Sequence, residues 1–269
     1  MPSFPRITVI TPSFNQVAYI ERTIRSVLDQ NYPNLEYIVI DGGSTDGSLE
    51  LIKRYASRLT YWVSEPDRGQ VHAINKGMLR ATGDWVAWQN SDDTYYPGTF
   101  DELAATASRY PHAGLIIGDL MLIDKDDAPI RDVRYITPLH NALIAEGMLV
   151  ANQAAFWRRE VHATVGFLDE RYQCSFDYDW FLRITKEVRG VHASRTWGAL
   201  RLHGDTKTSL QASRFREEND AILRGRKMPR WKKATYKLRR ICLMLLRGQY
   251  DYVLRGMVRR MRGNLGTHH

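Results

Sequence analysis

The chain has 269 residues, 43% of them hydrophobic, and a formal net charge of +8. That is enough apolar material for one substantial core, which excludes a disordered chain and favours a single elaborated α/β domain with an extension over two independent domains. Cys174 and Cys242 lie far apart with no metal-type spacing, which argues against a disulfide scaffold or zinc site and fits a reducing, cytoplasmic setting. Met1-Pro2-Ser3-Phe4-Pro5-Arg6 lacks the apolar run of a secretory leader, so export is not expected.

Ile7 to Thr11 is rich in β-branched residues and meets Pro12, after which Ile20, Ile24, Val27 and Leu28 recur at helical spacing, so strand, loop and helix are expected in that order. Tyr37 to Ile40 repeats the pattern, closed by Asp41-Gly42-Gly43-Ser44 and followed by the stripe Leu49, Leu51, Ile52 and Tyr55. Leu59 to Val63 reads as a third strand, Val71 to Leu79 as a helix, and Trp85 to Trp88 as a fourth strand. Such alternation predicts a mostly parallel sheet with right-handed crossovers. A helix near Phe100 to Ser108, a strand at Leu115 to Gly118 and a second apolar run from Leu120 to Ile123 follow. Residues 125 to 175 mix short apolar runs with prolines and glycines, predicting strands and loops with a short helix near His140 to Ala145.

The fourth strand ends in Asn90-Ser91-Asp92-Asp93, two adjacent carboxylates where an open sheet gathers its ligands. A hard cation held by one or two carboxylates completes its shell with water and phosphate oxygens, so this loop implies a phosphorylated ligand. Taken alone, the same residues make an ordinary polar turn. Three other loops also follow strand ends: Thr11-Pro12-Ser13-Phe14-Asn15, Asp41-Gly42-Gly43-Ser44-Thr45-Asp46-Gly47, and Glu65-Pro66-Asp67-Arg68-Gly69. Asp41 and Asp67 can accept hydrogen bonds from a base or ribose and Arg68 can meet phosphate, while Thr45 or Asp46 equally suits a helix cap.

Taken with Ala73-Ile74-Asn75-Lys76-Gly77, Ala81-Thr82-Gly83 and Asp177-Tyr178-Asp179-Trp180-Phe181-Leu182-Arg183, these motifs resemble the inverting nucleotide-sugar glycosyltransferases of family 2, which have the GT-A fold. The resemblance runs from about Thr8 to Ser209. It implies a Rossmann-like, mostly parallel sheet flanked by helices, with a nucleotide-sugar half (residues 1–124) and an acceptor half (125–212), followed by a helical extension (213–269). It also implies that Thr11, Pro12, Ser13, Asn15, Asp67, Arg68, Gly69 and Asn75 surround the donor nucleotide and that Asp41 contacts its base. Asp92 would lie near the ribose or the cation, Asp93 would ligate Mn2+ or Mg2+, and His203, in His203-Gly204-Asp205, is either a further ligand or an ordinary loop histidine. The first position of the family's Asp-x-Asp motif is occupied here by Asn or Ser.

Asp177 and Asp179 precede the apolar side of a predicted helix, and residues two apart on a helix do not share a face. Asp177 is assigned as the base toward an acceptor hydroxyl and Asp179 as its support, with Phe176 standing where the family often has Glu. Gln153 is a candidate to face the donor sugar. Trp88 either stacks on a sugar or packs in the core, as does Trp85.

From Ser213 to Gly263 there are 16 Lys and Arg against 4 Asp and Glu, whereas the remainder has 22 against 26, so the basicity belongs to the tail. In Ala234 to Arg247, Leu238, Ile241, Cys242 and Leu245 share one helical side, and Val253, Met257, Val258 and Met261 resume the pattern. The run is too short to span a bilayer, leaving either an amphipathic anchor on an anionic membrane or a helix packed on the catalytic body. The expected activity is transfer from a nucleotide-diphosphate sugar, UDP favoured, to a glycan or lipid-linked acceptor in surface polysaccharide assembly, at or near the inner face of the cell membrane. A sugar-phosphate nucleotidyltransferase lacks support because its glycine-rich, lysine-bearing N-terminal loop is absent, and a noncatalytic nucleotide- or carbohydrate-binding module would not need Asp177. A nucleic-acid partner would leave the acidic loops unexplained.

Overall fold

The computed structural model describes residues 4–204, 211–226 and 228–265. Asp205 and the side chain of Met261 lie outside the described residues. One sheet organises the chain, its strands lying in the order β3-β2-β1-β4-β8-β6-β9-β5, with β7 paired to β6. β1 (Ile7–Ser13), β2 (Leu35–Asp41), β3 (Tyr61–Ser64) and β4 (Trp85–Trp88) pair in parallel, with Ser13 opposite Asp41 and Ile10 opposite both Ile38 and Trp88. Their apolar residues are continuous because both faces are covered. Val9, Tyr37 and Val39 enter one core cluster, and Ile10, Ile38 and Ile40 enter the other.

Helix α1 (Ile20–Leu28) buries Ile20, Ile24, Val27 and Leu28, the stripe its sequence spacing requires. α2 (Ser48–Arg54) follows β2, and α3 (Gln70–Arg80) packs on β1 with Gly77 against Ile10, where a side chain would collide with the isoleucine. α4 (Thr99–Arg109) precedes the second half of the sheet. There the two predicted apolar runs form a single nine-residue strand, β6 (Leu115–Ile123). β6 runs parallel to β9 (Gly190–Arg201) and antiparallel to β7 (Pro129–Val133) and β8 (Ala155–Arg158). α5 (His140–Glu146), α6 (Val161–Val165) and α7 (Phe176–Glu187) complete this half.

The pairing of β5 (Thr94–Tyr95) with β9 matters most for the site. Thr94 lies opposite Ala199 and Tyr95 opposite Gly198, which draws the acidic loop before β5 against the end of β9. Among the described residues three further helices follow: α8 (Ala212–Ile222), α9 (Arg230–Leu246) and α10 (Tyr250–Leu265). α8, at the start of the expected extension, packs into the body of the fold: Ile222 belongs to a core cluster and Phe215 lines a cavity at the strand ends.

Candidate active site

A cavity of about 630 Å³ opens where the strand-end loops meet. Pro12, Ser13 and Phe14 leave β1 into it, Asp67 and Gly69 reach it from the loop after β3, and Asn90 to Asp93 follow β4. Gln153 and Asp177, far along the chain, line the same space. Gly69 begins α3 with φ +109°, a conformation that a side chain would strain, and its amide donates to the Asp67 carboxylate at 2.7 Å.

The two adjacent carboxylates sit in different surroundings. Asp93 is 1% exposed. One of its oxygens accepts from Gln153 Nε2 at 2.7 Å and Asn90 Nδ2 at 2.9 Å, and the other accepts the Arg201 backbone amide at 2.9 Å. Burial, reinforced by neighbouring Asp92, pushes its carboxyl up to about 8 against the opposing pull of those donors. Its lone pairs are thus largely committed to protein donors, whereas Asp92 is more exposed and meets His203 Nε2 at 3.1 Å. Asp92 thus keeps more of its carboxylate free of protein donors than Asp93, which Gln153 braces. Among the described residues no cluster of three or more His, Cys, Asp or Glu forms a complete metal cage. The Asp92 carboxylate on the cavity, with the His203 imidazole against it, fits Mn2+ or Mg2+ completed by diphosphate oxygens, because such ions commonly take few protein ligands when a substrate phosphate is present.

Asp177 lies in the first turn of α7 and accepts the Tyr178 amide at 2.7 Å. Burial pushes its carboxyl up to about 6, with Glu218 adding to the rise and the amides of Tyr178 and Asp177 opposing it. Asp179 diverges, as helical geometry requires. It pairs with Arg183 at 2.8 Å, and Arg183 also donates to the Val165 carbonyl at 2.6 Å and the Phe167 carbonyl at 2.9 Å. Asp179 thus anchors the segment after α6 instead of bonding to Asp177.

Several expected contacts are occupied inside the fold. Asp41 is fully buried and accepts from the Gly43 and Ser44 amides, the Ser44 hydroxyl and the Ser64 hydroxyl, so it shapes the turn beside the nucleotide side with no oxygen left toward the cavity. Thr11 meets Tyr37 Oη at 3.0 Å in the interior. Asn15, at φ +51°, accepts the Thr45 amide, its own amide donating to Ser44 Oγ, and braces two loops. Asp46 accepts the Ser48 amide at the start of α2, one residue before the Gly47 cap. Arg68 points outward in a bidentate pair with Glu170. Asn75 clamps Leu168 through both its backbone groups, each at 3.0 Å. Trp88 is wholly buried among Trp157, Phe176 and Phe181, and Trp85 is buried too, so both pack rather than stack on a ligand. None of Thr11, Asn15, Asp41, Arg68, Asn75 or Trp88 lines the cavity.

Arg201 and Glu218 escaped the sequence reading. The Arg201 side chain is fully buried; it donates to the Asp92 carbonyl at 2.8 Å and Asp127 at 2.6 Å, tying the acidic loop to the turn after β6. Its only sequence signal was its place two residues before His203. Glu218 binds the residues ahead of α7. Asn152 Nδ2 and Ser13 Oγ, both on the cavity, have no protein partner among the described residues.

The model of glycosyl transferase family 2 matches residues 8–166, and the chain belongs to that family. An uncharacterised glycosyltransferase of Mycobacterium tuberculosis is 31% identical over 190 residues, 68% of this chain and 70% of that protein. TuaG of Bacillus subtilis, named for teichuronic acid biosynthesis, is 42% identical over 94 residues, 34% of this chain and 37% of its own. Staphylococcus aureus TarS 1–349, solved with UDP-GlcNAc, superposes with a TM-score of 0.65 at 16% identity, covering 86% of this chain and 70% of that one. The mannosyltransferase PcManGT of Pyrobaculum calidifontis, solved with GDP-Man and Mn2+, gives 0.62 at 19% identity, covering 87% and 69%. The chain is a GT-A glycosyltransferase by family and by fold.

Proposed function

We propose that this glycosyltransferase moves a sugar from a nucleotide diphosphate, with UDP favoured, to a hydroxyl of a glycan or lipid-linked acceptor, inverting the anomeric centre, in the assembly of a surface polysaccharide or related glycoconjugate. The carrying observation is that Asp177 and Asp92 line one cavity with the strand-end loops, Asp92 meeting His203 at 3.1 Å. TarS and PcManGT support a nucleotide-sugar donor, and TuaG supports the polysaccharide setting.

In this reading Pro12, Ser13, Asp67 and Gly69 flank the donor nucleotide, and the Asn152 amide and Ser13 hydroxyl offer donors to it. Asp92 and His203 would hold Mn2+ or Mg2+, which supplies charge neutralisation for the diphosphate leaving group. Asp177, buried enough to be a useful base near neutral pH, accepts the proton of the acceptor hydroxyl as its oxygen attacks the sugar carbon opposite the departing diphosphate. The C–O bond to the diphosphate breaks as the new glycosidic bond forms, and no covalent enzyme intermediate intervenes.

The test is nucleoside-diphosphate release from a panel of nucleotide sugars, with and without Mn2+ or Mg2+ and acceptor. Wild type is expected to show slow cation-dependent donor hydrolysis. Asp177→Asn is expected to keep nucleotide binding and lose roughly 10²–10⁴-fold in transfer. Near-wild-type turnover in that variant rejects Asp177 as the base, and absence of any release from every donor favours a noncatalytic binding module.

The tail adds a location to this reading. α9 packs on α5, with Met244 buried and Arg240 paired to Glu146 at 2.8 Å. Trp231, Leu238 and Leu246 are 67%, 62% and 83% exposed, and with Cys242 they recur at steps of seven, four and four residues along one helical stripe. Packing on the body and presentation of an apolar stripe thus coexist on one helix. Flanked by Lys232 and Arg239, that stripe suits an anionic membrane surface as an interfacial contact. No helix among the described residues is long and apolar enough to cross a membrane.

A further inference from the structure

Glu218 stands on α8, beyond the residues matched by the family model, yet it reaches the approach to the catalytic helix. One carboxylate oxygen accepts the Gln173 amide at 3.0 Å, and the other accepts those of Cys174 at 2.9 Å and Ser175 at 2.8 Å. Arg214 steadies the same carboxylate at 3.0 Å. Three successive backbone amides converging on one anion form a concave, charge-assisted cradle. Two neighbouring bonds strengthen the latch: Ser175 Oγ donates to the Phe215 carbonyl at 3.4 Å, and Cys174 Sγ to Gln211 Oε1 at 3.0 Å. α7 begins immediately after Ser175, and Asp177 occupies its first turn.

We propose that Glu218 is a positioning residue for transfer: by gripping the Gln173–Ser175 backbone from α8, it fixes where the Asp177 carboxylate stands in the cavity. The proposal rests on Asp177 being the base. It assigns the first helix of the C-terminal extension to the catalytic apparatus, a role that neither the family match nor the extension's basic composition contains.

The geometry has an electrostatic consequence. Burial opposes ionisation of Glu218, but the amides of Gln173, Ser175 and Cys174, with Arg214, outweigh it and hold its carboxyl below the ordinary glutamate range. Glu218 therefore stays anionic beside Asp177 and adds to the burial that raises the aspartate. Other ionisable groups facing this region among the described residues include Tyr135, itself pushed up by burial and by surrounding groups that include Asp177, Arg226 near Tyr178, and, around the cavity, Asp67, Asp92, Asp93, Cys174 and Arg201. Neutralising Glu218 removes one like charge while leaving those in place.

The test compares Glu218→Gln and Glu218→Asp with wild type, using full-length protein, a fixed donor and cation, and kcat/KM measured across pH. Glu218→Gln is expected to lower kcat about tenfold, within the range of a misplaced general base, and to move the acidic limb to lower pH by about half a unit. Nucleoside-diphosphate affinity should stay within about twofold, and Glu218→Asp, which keeps the charge, should return the limb toward wild type. A Glu218→Gln profile superimposable on wild type, with kcat within about twofold, overturns the proposal. So does a variant that melts earlier but keeps both the wild-type limb and kcat, because that is the mark of a purely structural cap. If Glu218→Gln does not fold, Glu218→Asp decides: lowered kcat with a wild-type limb supports positioning, and wild-type kcat defeats it. Asp177→Asn separates the layers. An active Asp177→Asn sinks the base assignment itself, whereas an inactive Asp177→Asn beside a Glu218→Gln that keeps both the wild-type limb and kcat sinks only the role of Glu218.

Discussion

Burial lifts the Asp177 carboxyl to about 6, above its ordinary 3.8, so the folded chain holds that proton more tightly than the unfolded chain does. The stabilisation is fully present below about pH 4 and is lost as pH rises through about 6. At pH 7.5 the native protein therefore carries an ionised, poorly solvated carboxylate whose removal should help folding. Asp177→Asn is expected to melt a few degrees above wild type at pH 7.5, with the curves converging near pH 4. Thermal melts across that range check it, and a variant melting below wild type at pH 7.5 contradicts the assigned burial. Asp93 bears a shift of the same sign with a different purpose: three donors make it an internal post on which Gln153, Asn90 and the end of β9 are hung. The catalytic and scaffolding carboxylates are distinguished by how many donors each has already accepted, more than by their place in a motif.

At the scale of elements, the site depends on braces between segments distant in sequence. Asn75 on α3 holds both backbone groups of Leu168, so the segment leading toward α7 is fastened to the nucleotide-side half. Asn75→Ala leaves those two groups without their partner, a loss of about 1–3 kcal/mol for such part-buried polar groups. The expected outcome is a melting temperature lower by several degrees with nucleoside-diphosphate affinity unchanged. Weakened nucleotide binding with an unchanged melt would instead return Asn75 to the donor contacts that its motif implied. Legibility followed the same division. Strands β1 to β4 and helices α1 and α3 were readable because burial on a known face imposes a period on apolar residues. Arg201 and Glu218 were not, since Arg201 meets Asp92 across 109 positions and Glu218 meets Gln173 across 45, distances over which no local pattern operates.

Across the whole molecule, charge is segregated: acidic loops border the cavity, and the net positive charge is concentrated in residues 213–263. α9 uses one side to bind α5 and leaves Trp231, Leu238 and Leu246 outward, so attachment to the body and contact with a membrane do not compete. Full-length protein is expected to sediment with vesicles containing anionic phospholipid, to bind zwitterionic vesicles more weakly, and to release as salt rises. Replacing Trp231, Leu238 and Leu246 together by serine should reduce binding severalfold while preserving donor hydrolysis, because these side chains are far from complete burial. Equal vesicle binding by both proteins would remove the membrane reading without touching the glycosyltransferase one.

The sequence by itself determined the alternating architecture, the family, the four strand-end loops and Asp177 as a carboxylate opening a buried helix, because periodicity and short-range turn chemistry are written in neighbouring residues. Only the tertiary structure decided which loop residues look into the cavity. Thr11, Asn75 and Trp88 sit in the right motifs, but their side chains turn into the interior. Asp92 acquires His203 and Asp93 acquires Arg201 because β5 pairs with β9 and draws the acidic loop against the end of that strand. A motif fixes a residue's position along the chain, whereas its role depends on which donors and acceptors from remote segments reach it first, and those arrive only when the sheet is assembled.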